Sequence, residues 1–273
     1  MSSPGSKVQS PESRVQSPKS GVWIAAALLP ILFASHGYAQ SDARQIMAEA
    51  QRRSEAKSQR YEGLLQVLDG GGKVADKRWS FVRLGSHGSS KAVLRFLAPA
   101  EVKGVALLIV NHPDRASDQW MWTPALQRER RIALQDRSTR FFGTDFSFED
   151  LEERDVDQYD YRLLGEQPID GAACWRIESV PSKRKTSQYT RSEVWIRKDN
   201  YAFAQIESYV KAELVRRLTY SHFAQLQGIW TARRLEMSDL RRKSRTILTL
   251  EKLEYNVPLR DEDFTLQSLR NPL

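Results

Sequence analysis

The chain has 273 residues, 40% hydrophobic and 28% charged, with a formal net charge of +8. That length is enough for one all-β domain with a substantial core, and its single cysteine, Cys174, rules out an intramolecular disulfide. A basic surface suits nucleic acid, anionic lipid or an acidic protein. In chain order, the sequence opens on an imperfect seven-residue repeat, Ser3-Pro-Gly-Ser-Lys-Val-Gln9, Ser10-Pro-Glu-Ser-Arg-Val-Gln16 and Ser17-Pro-Lys-Ser-Gly-Val-Trp23. A Ser/Pro-rich tract of this kind buries no core, so disorder is expected there.

The apolar run Val22 to Ala34 follows Lys7, Arg14 and Lys19 and precedes Gly37-Tyr-Ala39, a small-residue cleavage pattern. It reads as a secretory signal peptide, residues 1–39, cut after Ala39. It is too short and too interrupted, by Pro30, for a spanning helix, which needs roughly 20 apolar residues. No cysteine stands at the cleavage point to carry a lipid, so a soluble periplasmic protein is expected. Residues 1–39 carry three basic residues against Glu12, or +2, which leaves +6 of the +8 on residues 40–273. Export makes nucleic acid the least fitting partner and leaves anionic membranes and acidic proteins.

Ser41 is placed to cap a helix whose Ala43, Ile46, Met47 and Ala50 share one face, ending near Lys57. From Tyr61 onward, aromatic and β-branched runs alternate with turn signals at Gly70-Gly-Gly72, Gly85 to Ser90, Asp114 to Asp118, Gly165 to Gly171, Asp199-Asn200 and Gln227-Gly228. Period-two pairs put Trp79 with Phe81, Tyr159 with Tyr161 and Leu163, Trp175 with Ile177, and Leu218 with Tyr220 on shared faces. Val105 to Val110 and Thr246 to Leu250 are apolar on both faces, so part of the sheet must be covered twice. Cys174 falls on a strand and reads as a small buried hydrophobe. Composition alone leaves a sandwich, a lipocalin-type barrel and a partial barrel all open.

Three segments then stand out: Phe96-Leu-Ala-Pro-Ala-Glu-Val-Lys-Gly-Val-Ala-Leu-Leu108; Trp120-Met-Trp-Thr-Pro-Ala-Leu126 with Arg128, Arg130 and Arg131; and Phe142-Gly-Thr-Asp-Phe-Ser-Phe-Glu-Asp-Leu151. Together they resemble the signature of the LolA-like outer-membrane lipoprotein-sorting family. The last differs from the usual Met-Gly-Ser-Asp-Phe-Ser-Tyr at Phe142, Thr144 and Phe148, keeping size and hydroxyl character. The resemblance implies a mainly β, α+β fold, in which residues 40–273 form a single strongly curved antiparallel sheet, an incomplete barrel closed by helices around an apolar cavity. It further implies a carrier, not an enzyme, that takes the acyl chain of a lipid or lipoprotein from an inner-membrane exporter towards the outer membrane, touching anionic membrane surface in passing. The alternative is a lipid-sensing periplasmic regulator, which usually carries a second domain that this chain has no room for.

The cavity-wall candidates are Trp79, Phe96, Leu108, Trp120, Met121, Trp122, Phe142 and Phe146, and Trp120-Met-Trp122 leads them because two aromatics straddle a flexible Met beside the strand-ending Thr123-Pro124. Any one tryptophan on a strand is more often ordinary core, and for Trp120-Met-Trp122 a barrel-edge hairpin with both rings in the core is an equal reading. Gly143 allows a tight turn on which a lid hinges. Asp145, Glu149 and Asp150 near Arg128, Arg130 and Arg131 suggest acid and base chemistry, but the plainer reading is anchoring. Ser147 and Asp150 form a capping box on a short helix, and Asp145 pairs with an arginine of the preceding turn. His87, His112 and His222 are widely spaced, and no metal, nucleotide or nucleophile motif is present, so no metal or cofactor is expected. Lys183-Arg-Lys185, Arg216-Arg217, Arg233-Arg234 and Arg241-Arg-Lys243 read as solvated strand ends that could dock on anionic headgroups.

Overall fold

The structure, a computed structural model, describes residues 34–270. The Ser/Pro repeat and the signal segment up to Phe33 lie outside the described residues. Helix α1 (Ala34–Arg53) begins upstream of the expected cap at Ser41 and ends before Lys57. Ala34 to Gln40 holds no proline to break the helix, and its Gly37 costs only about 1 kcal/mol. At the other end the Ser54 amide and hydroxyl both turn back to the Gln51 carbonyl, at 3.1 and 2.9 Å, and satisfy one of its last acceptors.

Thirteen strands follow: β1 (Ser58–Leu68), β2 (Val74–Leu84), β3 (Lys91–Ala98), β4 (Ala106–Val110), β5 (Asp118–Thr123), β6 (Arg128–Arg131), β7 (Tyr159–Glu166), β8 (Cys174–Pro181), β9 (Arg191–Arg197), β10 (Phe203–Val210), β11 (Glu213–Leu226), β12 (Ile229–Asp239) and β13 (Ser244–Tyr255). The turn signals fall between them, except that β5 already begins at Asp118 and β7 runs on through Gly165 to Glu166. All pair antiparallel in one sheet ordered β6-β5-β4-β3-β2-β1-β13-β12-β11-β10-β9-β8-β7. The sheet is curved and unclosed. Its two edges, β6 and β7, are consecutive in sequence but at opposite ends of the order. The connection between them, residues 132–158, must therefore travel the width of the sheet, and it does so as loop with three 3₁₀ turns at Leu134–Asp136, Glu149–Leu151 and Val156–Gln158. We call it the cover.

Two apolar clusters share the covered face, meeting at Leu218. One is built from Leu65, Trp79, Phe96, Leu107 and Ile109 of the sheet with Phe141, Phe146 and Phe148 of the cover. The other sets Ala43, Met47 and Ala50 of α1 on Tyr159, Tyr161, Ile177, Val194, Ile196 and Ile206. The helical face expected from spacing is thus the one buried, against β7 and β9. The doubly apolar β4 is explained by a third cluster. Its Ala106 and Leu108 point to the other face, where Phe264 and Leu269 of the C-terminal segment, the 3₁₀ turn Asp261–Phe264 and helix α2 (Leu266–Arg270), cover them. Cys174 is free and fully buried beside Trp195 and Ala204.

Candidate functional site

Between the cover and the sheet lies a cavity of about 390 Å³. Its floor is Tyr61 and Phe81 of β1 and β2, Leu218 and Tyr220 of β11, Leu235 and Met237 of β12, Leu248 and Leu250 of β13, with Ile206 and Tyr159 at the α1 end. The β11, β12 and β13 pairs each share one face because their members are two residues apart on the strand. Tyr61 and Phe81 are cross-strand partners and stack, with ring centroids 4.7 Å apart. Burial pushes the Tyr220 hydroxyl up to about 12 and raises those of Tyr61 and Tyr161, so all three stay neutral.

The roof is chemically opposite. Glu149, Asp150, Glu152 and Glu153 of the cover line the same cavity, facing Arg83, Lys185, Tyr189 and Arg216. Asp150 is paired with Arg216 of β11 and accepts a 2.8 Å bond from the Tyr189 hydroxyl. Glu152 accepts from Lys185 at 2.5 Å, Arg137 at 2.7 Å and Ser117 at 2.8 Å. Glu153 is paired with Arg83 of β2 and accepts from Ser90 at 2.5 Å. Glu149 accepts from Ser187 and the Gln188 amide; burial raises its carboxyl above the ordinary value although both donors lower it. Burial works against the Lys185 charge, yet Tyr159 and Glu152 outweigh it and hold the ammonium above its ordinary value. The cover is therefore latched by ion pairs to both halves of the sheet, β2 on one side of the β1–β13 seam and β11 on the other.

The capping geometry expected at Ser147 forms: its amide and hydroxyl both donate to Asp150 Oδ2, at 2.7 and 2.6 Å, and the Asp150 amide returns a 3.3 Å bond to the hydroxyl. Asp145 is an anchor too, but its arginine is Arg140, at 2.9 Å. Arg130 pairs instead with Asp136 and Arg131 with Asp118, while Arg128 is exposed on β6. The reason is topological. Those three lie on the edge strand, whereas Asp145 is carried across the sheet to Ser244 and Thr246 of β13. Phe142 and Gly143 both adopt left-handed φ, +45° and +76°, making the tight turn expected at Gly143.

None of the eight cavity-wall candidates is among the residues lining this cavity. Trp79, Phe96, Phe142 and Phe146 belong to the solid aromatic cluster beside it: Phe96 stacks on Phe141 at 5.3 Å and meets Phe142 edge-on at 5.6 Å. Met121 packs on the same cluster. Leu108, Trp120 and Trp122 sit on the opposite face of the sheet, in the cluster closed by the C-terminal segment. Lys185 and Arg216 are buried at the roof and not solvated at strand ends. Among the described residues no group of three or more His, Cys, Asp or Glu is placed to hold a metal ion, and no described helix is long and apolar enough to cross a membrane.

A curved, unclosed antiparallel sheet with a long segment and a helix on one face is a LolA-like fold, the fold the sequence motifs resemble. The chain belongs to the family whose model, described as an uncharacterized protein, matches residues 88–271. Its fold is similar to that of a DUF1329 family protein from Desulfovibrio piger, 28% identical with a TM-score of 0.80 over 85% of this chain and 99% of that one. It is as similar to a domain named as a candidate outer membrane lipoprotein-sorting protein from Vibrio parahaemolyticus, 26% identical with a TM-score of 0.80 and the same coverage, 85% and 99%. A LolA superfamily protein from Nitrosomonas europaea shares the fold at 19% identity, with a TM-score of 0.68 over 83% of this chain and 99% of that one. No curated protein matches the chain.

Proposed function

We propose that this chain is a lipid-binding protein of the periplasm that holds an acyl chain in the cavity beneath the cover. In this reading residues 1–39 are a signal peptide removed after Ala39, and residues 40–273 are one soluble half-barrel domain closed on its open side by α1 and the cover. The observation that carries it is the contrast within the site: an apolar floor of tyrosine, phenylalanine, leucine and methionine under a roof held by ion pairs. A lipid tail gains roughly 0.8 kcal/mol for each methylene it buries, so about ten methylenes supply on the order of 8 kcal/mol before ordering costs. The latches cost little to open, because charges that separate become hydrated and recover much of what the pairing gave. The commitment of each roof carboxylate to a structural donor supports a binding role over an enzymatic one. The likeness to a candidate lipoprotein-sorting domain supports a sorting role, in which the acyl chain of a lipid or lipoprotein is received from an inner-membrane exporter and delivered towards the outer membrane.

Native mass spectrometry of detergent-free protein purified from periplasm tests this reading. A lipid or acylated peptide retained near one per chain is the expected result. A bare mass, together with no uptake of a fluorescent fatty acid, would overturn it.

A further inference from the structure

Four cations line the cavity, Arg83, Arg154, Lys185 and Arg216, and three are answered on the spot by Glu153, Glu152 and Asp150. Arg154 is in no ion pair among the described residues. Its Nη2 donates to the Ser179 hydroxyl at 2.8 Å, its guanidinium carbon lies 4.2 Å from the centre of the Tyr159 ring, and its buried Nε–H has no acceptor. Arg83 and Arg137 also have an unfilled Nε, but each guanidinium is already paired with a carboxylate. The remaining roof carboxylate, Glu149, is occupied by Ser187 and Gln188. A buried donor left unfilled is destabilising until something accepts from it. A guanidinium seated over an aromatic ring offers its planar fork to a matching oxyanion, where a lysine would offer only a point charge.

We propose that the cavity takes an amphiphile with an anionic head, a carboxylate or a phosphate, seated on Arg154, with its tail running along Tyr61, Phe81, Leu235 and Leu248. This rests on the acyl-binding reading above and narrows its ligand. A neutral-headed lipid fills the floor but leaves the arginine unanswered.

Isothermal titration calorimetry on delipidated protein with dodecanoate, dodecyl phosphate and dodecanol, beside acetate and inorganic phosphate, tests it. The two anionic amphiphiles are expected to bind at least about tenfold more tightly than dodecanol. In Arg154→Met that preference disappears while dodecanol binds as before, which also shows that the variant keeps its cavity. Arg154→Lys keeps part of it. Equal affinities in the parent protein, or a preference that survives Arg154→Met, overturn the anionic-head inference and leave acyl binding intact. Acetate or phosphate binding as tightly as the amphiphiles overturns it in favour of a free small anion. Failure of all three amphiphiles sinks the acyl-binding reading and this inference together.

Discussion

Asp145 and Thr246, 101 residues apart, hold each other by two hydrogen bonds: the Thr246 hydroxyl donates to the Asp145 carboxylate and accepts from the Asp145 amide, both at 2.8 Å. Both residues are 0% exposed. Ser244 adds a 2.6 Å bond and Arg140, within the cover, an ion pair, so one cover carboxylate has three partners, two of them on the central strand β13. Removing that carboxylate strands two hydroxyls and a cation. Asp145→Ala should cost about 3–5 kcal/mol in urea unfolding, the range seen when one partner of a buried charge network is lost. Thr246→Val, which removes one donor and one acceptor, should cost about 1–3 kcal/mol. An Asp145→Asn protein as stable as its parent would remove the anchor from this account.

The Asp145 anchor was half legible in the sequence. The Ser147–Asp150 spacing announces a local cap, because a capping box depends on residues three apart. The partners on β13 follow only from the strand order, which brings residues 244–246 under the cover. The same limit explains the tryptophans. Period-two alternation shows that Trp120 and Trp122 share a face, but β4 and β5 are covered on both faces, so alternation cannot say which face holds the cavity. Lys185 and Arg216 sit in basic runs that look solvated, and their burial depends on acids that arrive from the cover.

Asp150 and Arg216 form the latch to β11, each side chain 9% exposed. Arg216→Met alone should destabilise the fold by about 3–5 kcal/mol, since it leaves the Asp150 charge buried without its cation. Adding Asp150→Leu should return most of that loss, because two apolar side chains can replace a buried pair at little net cost. A double-mutant cycle by chemical denaturation measures the coupling. The double variant should also take up a fluorescent fatty acid faster than the parent, as one latch no longer has to open.

Glu149 gives stability a pH dependence of defined sign. Burial raises its carboxyl above the ordinary 4.5, so the folded protein holds that proton more tightly than the unfolded chain does. The contribution is complete below about pH 4.5 and is lost as pH climbs through the raised value. Glu149→Gln cannot ionise. Melting curves from pH 4.5 to 8 should therefore show the parent losing stability relative to this variant as pH rises. Parallel curves would show that Glu149 titrates normally.

Gly63 on β1 makes room for Trp79 on β2, its cross-strand partner. A Cβ there would stand 2.1 Å from Trp79 Nε1 and 2.8 Å from Leu248 Cδ1. The indole occupies the space a side chain would take and belongs to the aromatic cluster next to the cavity. Gly63→Ala should cost about 1–3 kcal/mol by overpacking, read from the shift in denaturant midpoint. Pairing it with Trp79→Phe should relieve part of that cost.

The face of the sheet that binds is decided by comparing two substitutions. Leu218 lines the cavity, and Leu218→Trp places an indole in empty space, so stability should change by less than about 1.5 kcal/mol while fatty-acid affinity falls at least tenfold. Trp120 packs with Leu108, Trp122 and Leu269 on the far face, and Trp120→Ala should lower stability by about 1–3 kcal/mol while leaving affinity unchanged. The reverse result, binding lost with Trp120 and kept with Leu218→Trp, would move the ligand to the face under the C-terminal helix. That face is already filled by Phe264 and Leu269, so a tail enters it only by displacing α2, whereas the covered face already holds a cavity whose roof is latched by side-chain ion pairs.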